Sequence, residues 1–201
     1  MAGETRQKIL EATTKLIQMK GLARVTTKEI ARETGLSEGA LYRHFEHKEE
    51  VLFAVLTKHL PTFLETFQTH VAGTGRVSEN LEAIALAAIQ YYGQLLPMSA
   101  SFFADTELLA HYQAAIRQIN GGPQRFFEVV AAYIAEEQEL GRIEKHVPAL
   151  TIAIQLLGPC FQYEFLRQFM GDQPFGQTKR EFVKNLIQGL ASGHFPASFI
   201  P

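Results

Sequence analysis

The run Ser37-Glu38-Gly39-Ala40-Leu41-Tyr42-Arg43-His44 concentrates donor groups beside two very small residues. A guanidinium such as that of Arg43 presents a rigid fork of donors matching the O6 and N7 acceptors on the major-groove edge of guanine. Tyr42 and His44 flank it at angles suited to phosphate oxygens. Ser37 and the free backbone N–H groups at a helix start are natural phosphate donors, and Lys48 can act in the same way. Gly39 and Ala40 would let the backbone come close to a duplex. Lys28 reads equally as a phosphate contact or a solvated side chain. Glu38 reads as an acceptor for cytosine N4 or as an acid placed to suit a helix dipole. A glycine inside a helix costs about 1 kcal/mol relative to alanine, and close approach to DNA would offset that.

The flanking residues show what must hold these groups in place. Ile9, Ala12, Leu16 and Ile17 form one stripe over 4–20, and Gly21 is placed to end that helix. Thr26-x-x-Glu29 is a capping box. It starts a short helix that turns Ile30 and Ala31 inward and is closed by Gly35. Ser37 caps the next helix, expected to run to about His44. On that helix Leu41 and Phe45 share the inner face, with Leu36 just before it, while Gly39, Ala40, Tyr42 and Arg43 lie opposite. Two short helices joined by a tight glycine-containing turn form a helix-turn-helix pattern.

Helical periodicity continues almost to the end of the chain, so the fold class expected is all-α. Further helices are expected at 49–71 with Pro61 inside, at 79–95 ended by Pro97, and over 99–119 as one or two short pieces. Others follow Gly121-Gly122-Pro123 to about 140, span 147–170 with a kink at Gly158-Pro159, and span 176–191. Pro61 reads as a hinge or as a bend around the core. The 147–170 helix is apolar nearly all round, which implies burial on more than one side.

The chain has 201 residues, 46% of them hydrophobic and 20% charged, which describes a globular protein. Its net charge is −2. Residues 1–50 carry nine Lys/Arg against eight Asp/Glu and the remainder ten against thirteen. Any nucleic-acid contact must therefore come from the placement of cations and not from bulk charge. The single cysteine, Cys160, cannot pair internally. Together with an N-terminus lacking an apolar signal segment, it leads to an expected cytoplasmic location. Cys160 itself reads as a buried core residue or as an oxidant sensor.

The segment GLARVTTKEIARETGLSEGALYRHFEHKEEVL, within residues 5–56, closely resembles the DNA-binding domain of the tetracycline-repressor-like (TetR) family of bacterial transcriptional regulators. The resemblance covers about a quarter of the chain, and the remainder is similar only in being helical and of suitable length. It implies a three-helix DNA-binding domain at 1–49 and a ligand-binding and dimerisation domain at 50–201, with about nine helices in all. It further implies a homodimer reading a pseudo-palindromic operator and released by a small-molecule effector. Thr27, Ser37, Gly39, Tyr42, His44 and Lys48 match positions that contact DNA in that family. Glu38 stands where many members have Lys or Pro, and His47 where Ser or Asn is common.

In the family the last two long helices form a four-helix bundle with those of the partner, which points to Leu156, Phe182, Leu186 and Leu190 as interface residues. Tyr91, Phe102, Phe126, Tyr133, Phe161 and Phe165 are candidates to line an effector cavity, with Gln90, His111, Arg117, Gln155 and Gln162 as polar anchors. Adjacent residues on a helix point about 100° apart, so at most one of each aromatic pair, such as Tyr91-Tyr92, can face the same cavity. The seven histidines lack metal-ligand spacing, and neither a Gly-rich phosphate loop nor a Gly-x-Ser-x-Gly elbow occurs. The expectation is a non-enzyme without metal or cofactor.

Overall fold

The structure, a computed structural model, describes residues 2–57, 60–104, 106–118 and 122–194. Among them are ten α-helices, two short 3-10 turns and no strand. The helices are α1 (Ala2–Lys20), α2 (Thr27–Thr34), α3 (Glu38–Leu41), α4 (Lys48–Thr57), α5 (Leu60–Thr69), α6 (Val77–Ala104), α7 (Thr106–Gln118), α8 (Gln124–Glu139), α9 (Ala149–Met170) and α10 (Lys179–His194). No described helix is long and apolar enough to cross a membrane. By packing, the chain divides into two units. One comprises 1–61 with 94–120, and the other 62–93 with 121–201.

The first unit is built on Ile9, Leu10, Leu16 and Ile17 of α1, Ile30 of α2, Leu41 and Phe45, and Val51, Leu52 and Val55 of α4. Leu109 and Tyr112 of α7 pack against the same cluster. Each such large apolar side chain contributes about 1.5–3 kcal/mol when fully buried. The helix ends are closed locally. Gly21 has φ +82°, and its N–H donates to the Ile17 carbonyl at 2.8 Å. Gly35 takes the left-handed conformation at φ +71°, which glycine adopts without penalty.

In the second unit α8 and α9 form the most extensive helix pair. Val130 and Ile134 of α8 and Ile152, Ala153, Leu156 and Leu157 of α9 are buried there with Ile84, Ala88 and Ile89 of α6. A polar network secures one end. The Tyr133 hydroxyl donates to Glu137 at 2.7 Å and accepts from Asn80 Nδ2 at 3.0 Å. Asn80 Nδ2 also reaches the Thr74 carbonyl at 2.9 Å, and the Gly73 N–H donates to Glu137 at 3.3 Å. Arg142 Nε lies 3.3 Å from Glu137 Oε2, and its guanidinium donates to the Gly75 carbonyl at 2.6 Å. Glu137 is fully buried, so this charge is tolerable only because of those partners.

Two helices differ from the sequence expectation. First, α6 does not end at Pro97 but continues to Ala104. Proline has no N–H for the carbonyl four residues back, that of Gly93. Gln168 Nε2 supplies a donor to that carbonyl at 3.2 Å. Second, α9 runs through Gly158-Pro159 without interruption and is not buried all round. Leu150, Ile154, Phe161, Phe165 and Phe169 leave an exposed apolar stripe along it. Residues 58 and 59, inside the helix expected at 49–71, lie outside the described residues, and α4 and α5 flank them.

Candidate nucleic-acid interface

The geometry begins at Thr26. Its side chain accepts from the Glu29 N–H at 3.3 Å, and the Glu29 carboxylate accepts from the Thr26 N–H at 3.1 Å. The capping box anticipated from sequence is complete. Lys20, at the end of α1, pairs with the same Glu29 carboxylate. That pairing first, and then the Thr26 hydrogen bonds, lower the Glu29 carboxyl to about 2. Lys15 and Glu33 form a second α1–α2 ion pair at 2.5 Å.

After the Gly35 turn, the Ser37 hydroxyl accepts from the Ala40 N–H at 3.1 Å and starts α3. The regular part of α3 ends at Leu41, short of the expected His44. Residues 42–44 continue as a turn, in which His44 N–H donates three residues back to the Leu41 carbonyl at 2.9 Å. Leu41 and Phe45 are both buried, and the Arg6 guanidinium lies 4.8 Å above the Phe45 ring. These anchors set the rotation of α3.

With Leu41 and Phe45 directed inward, Ser37, Glu38, Gly39, Tyr42 and Arg43 are exposed, and Ala40 and His44 are half-buried. A Cβ added at Gly39 would meet no protein atom within 4 Å. The protein interior therefore does not require glycine there. Lys28 on α2 is exposed, while Thr27 and Lys48, the first residues of α2 and α4, are half-buried. At the start of α4 the Glu50 N–H donates to the His47 carbonyl at 3.2 Å, and the Glu50 carboxylate accepts from the Glu46 N–H at 2.7 Å. The sequence reading missed one contact: Thr27 Oγ1 donates to Glu38 Oε2 at 2.8 Å, joining α2 to α3.

The effector candidates fall in less uniform surroundings. Phe126 is buried at the centre of a ring cluster, 4.0 Å from Phe63, 4.9 Å from Tyr91 and 5.3 Å from Tyr92. Tyr92 also meets Phe161 edge-on at 5.4 Å, and Phe161 stacks on Phe165 at 6.2 Å. Tyr133 has its hydroxyl committed to Glu137 and Asn80. Gln90, His111, Arg117, Gln155 and Gln162 are exposed, and the side chain of Phe102 lies outside the described residues. Cys160 is fully buried, its thiol donating to the Leu156 carbonyl at 3.1 Å and pushed up to about 12 by burial. That environment makes the thiol inert.

The expected interface positions also divide. Leu156 is wholly buried in its own chain and is not available to a partner, because the inward face of α9 against α8 takes it. Phe182, Leu186 and Leu190 are half-buried on α10. Glu164 is a further residue the sequence reading did not single out. Burial works against its charge, but hydrogen bonds from Arg167, at 2.6 and 2.9 Å, and from Gln168 hold its carboxyl below the ordinary value.

A capped α2, a left-handed glycine turn and a short α3 with an exposed small-and-cationic face define a helix-turn-helix protein. Residues 9–55 match the family described as bacterial regulatory proteins, tetR family. A helix-turn-helix transcriptional regulator of Staphylococcus aureus is 38% identical over 65 residues, covering 32% of this chain and 35% of that protein. The chain thus spans about a third of that curated relative. A solved structure assigned to the TetR family in Mesorhizobium loti superposes with a TM-score of 0.77 at 18% identity, over 98% of this chain and 99% of the other. The transcriptional regulator FadR of Bacillus subtilis, solved with stearoyl-CoA, gives 0.70 at 14% identity, over 93% and 98%. At these identities the solved structures establish the fold.

Proposed function

We propose that the protein is a ligand-responsive transcriptional repressor that binds a pseudo-palindromic operator as a homodimer in the cytoplasm. The observation that carries this reading is the rotation of α3: burial of Leu41 and Phe45 leaves Gly39, Tyr42 and Arg43 outward. In this reading residues 1–49 supply the DNA contacts. Arg43 reads guanine, Gly39 and Ala40 allow close approach, and Thr27, Lys28, Ser37, Tyr42, His44 and Lys48 meet the backbone.

Residues 50–201 supply effector binding and dimerisation. The aromatic cluster around Phe126 supports a hydrophobic or aromatic effector. The exposed apolar residues of α9 and the half-buried ones of α10 support a subunit interface there. Two recognition helices must sit about 34–36 Å apart to enter successive major grooves. An effector that binds better when this spacing is wrong releases DNA, with a coupling of about 1–3 kcal/mol.

The test is retardation of genomic fragments, including the protein's own promoter, at several salt concentrations, followed by footprinting. A protected two-fold symmetric site is the expected result. Weak, sequence-blind binding would overturn the reading.

A further inference from the structure

The geometry points to Glu38 as a base-reading residue that selects cytosine in each operator half-site, an inference that rests on the operator-binding reading above. Glu38 is exposed on α3, on the same outward surface as Gly39 and Arg43. Its Oε2 accepts from the Thr27 hydroxyl at 2.8 Å, so the side chain is tethered and not free to swing away from the surface. Its Oε1 has no partner among the described residues.

A carboxylate held on this surface faces polyanionic DNA, where phosphate oxygens repel it. Only a base-edge donor can accommodate it. The major groove offers two, cytosine N4 and adenine N6. Adenine places its N7 acceptor beside N6, and a carboxylate has no donor to give it. Cytosine presents its amine without that adjacent acceptor on the same base, so the acceptor-only chemistry of Glu38 favours cytosine. Thr27 is a positioning residue in this scheme: its hydroxyl proton is committed to Glu38, which leaves its backbone N–H as the donor for a phosphate.

The test is selection from a randomised duplex library with the wild-type protein, Glu38→Gln and Glu38→Ala. Titrations follow against the four base pairs at any position whose preference changes. The wild type should select cytosine at one position per half-site, with about 5- to 30-fold preference over the other bases. Glu38→Ala should lose the preference at that position alone. Glu38→Gln should move it to adenine, which an amide reads through both N6 and N7.

An unchanged selected sequence in both variants would overturn the inference while leaving the operator-binding reading intact, and would reduce Glu38 to a helix-dipole partner. Uniformly tighter binding to all four base pairs by Glu38→Ala would overturn it too, as a purely repulsive role. Failure of the wild type to select any sequence would remove both. Thermal unfolding of each variant, expected to match the wild type, separates these results from misfolding.

Discussion

Lys20 and Glu29 form an ion pair between the end of α1 and the first turn of α2, and the same Glu29 carboxylate closes the capping box on Thr26. One side chain thereby sets both the start of α2 and its attachment to α1. The orientation of the exposed α3 surface depends on that attachment, because α3 packs on α2.

Acid stability should report this arrangement. The Glu29 carboxyl has an ordinary value of 4.5, lowered in the fold to about 2. A depressed carboxyl contributes stability that is fully present above the unfolded value and is lost as the pH falls toward the folded one. The difference in melting temperature between the wild type and Glu29→Gln should therefore be constant above about pH 5 and shrink between 4.5 and about 2. A pH-independent difference would refute the assignment.

Phe45→Ala should destabilise the first unit by about 3–5 kcal/mol, the cost of removing a buried aromatic ring. Denaturant unfolding measures it. Arg6, stacked over that ring, should contribute far less, so Arg6→Ala is expected to cost less than about 1 kcal/mol.

Arg43→Ala should weaken binding to the selected operator by about 1–3 kcal/mol and relax preference at one base pair per half-site. Lys48→Ala should instead weaken all sequences alike and reduce the salt dependence. Identical footprints and affinities for Arg43→Ala would exclude Arg43 as a base reader.

Replacing Phe182 and Leu186 together by Glu should convert the proposed homodimer to monomer in sedimentation velocity. Phe182 also packs on Tyr163 at 4.7 Å within its own chain. The single change Ile154→Glu, at a side chain 51% exposed on α9, tests the α9 part of the proposed interface with less risk to folding. A dimer persisting in both would place the interface elsewhere.

Tyr133→Phe should cost about 1–3 kcal/mol of stability, because it leaves Glu137 and Asn80 short of a partner in a buried network. Effector affinity should be unchanged when measured calorimetrically. A large loss of affinity at unaltered stability would return Tyr133 to the effector site.

The helix-turn-helix was legible in the sequence because its determinants are local. Thr26 and Glu29 are three residues apart, as are Ser37 and Ala40, and Gly35 needs only its own backbone freedom. Periodicity of 3.6 placed Leu41 and Phe45 on one face, and burial of that face necessarily turned Arg43 outward.

What depends on distant chain segments was decided by tertiary structure. Gln168 reaches the Gly93 carbonyl from 75 residues away, and α6 passes Pro97 where the sequence suggested an end. On α9 two opposed faces are apolar, and periodicity cannot say which one packs on α8. The fold buried Leu156 and left Ile154 and Phe165 outside. The tether between Thr27 and Glu38 likewise needed the turn to bring two short helices into register. Local hydrogen bonds are written in neighbouring residues. The choice among equally apolar faces, and the donors that satisfy a broken helix, exist only once remote segments have met.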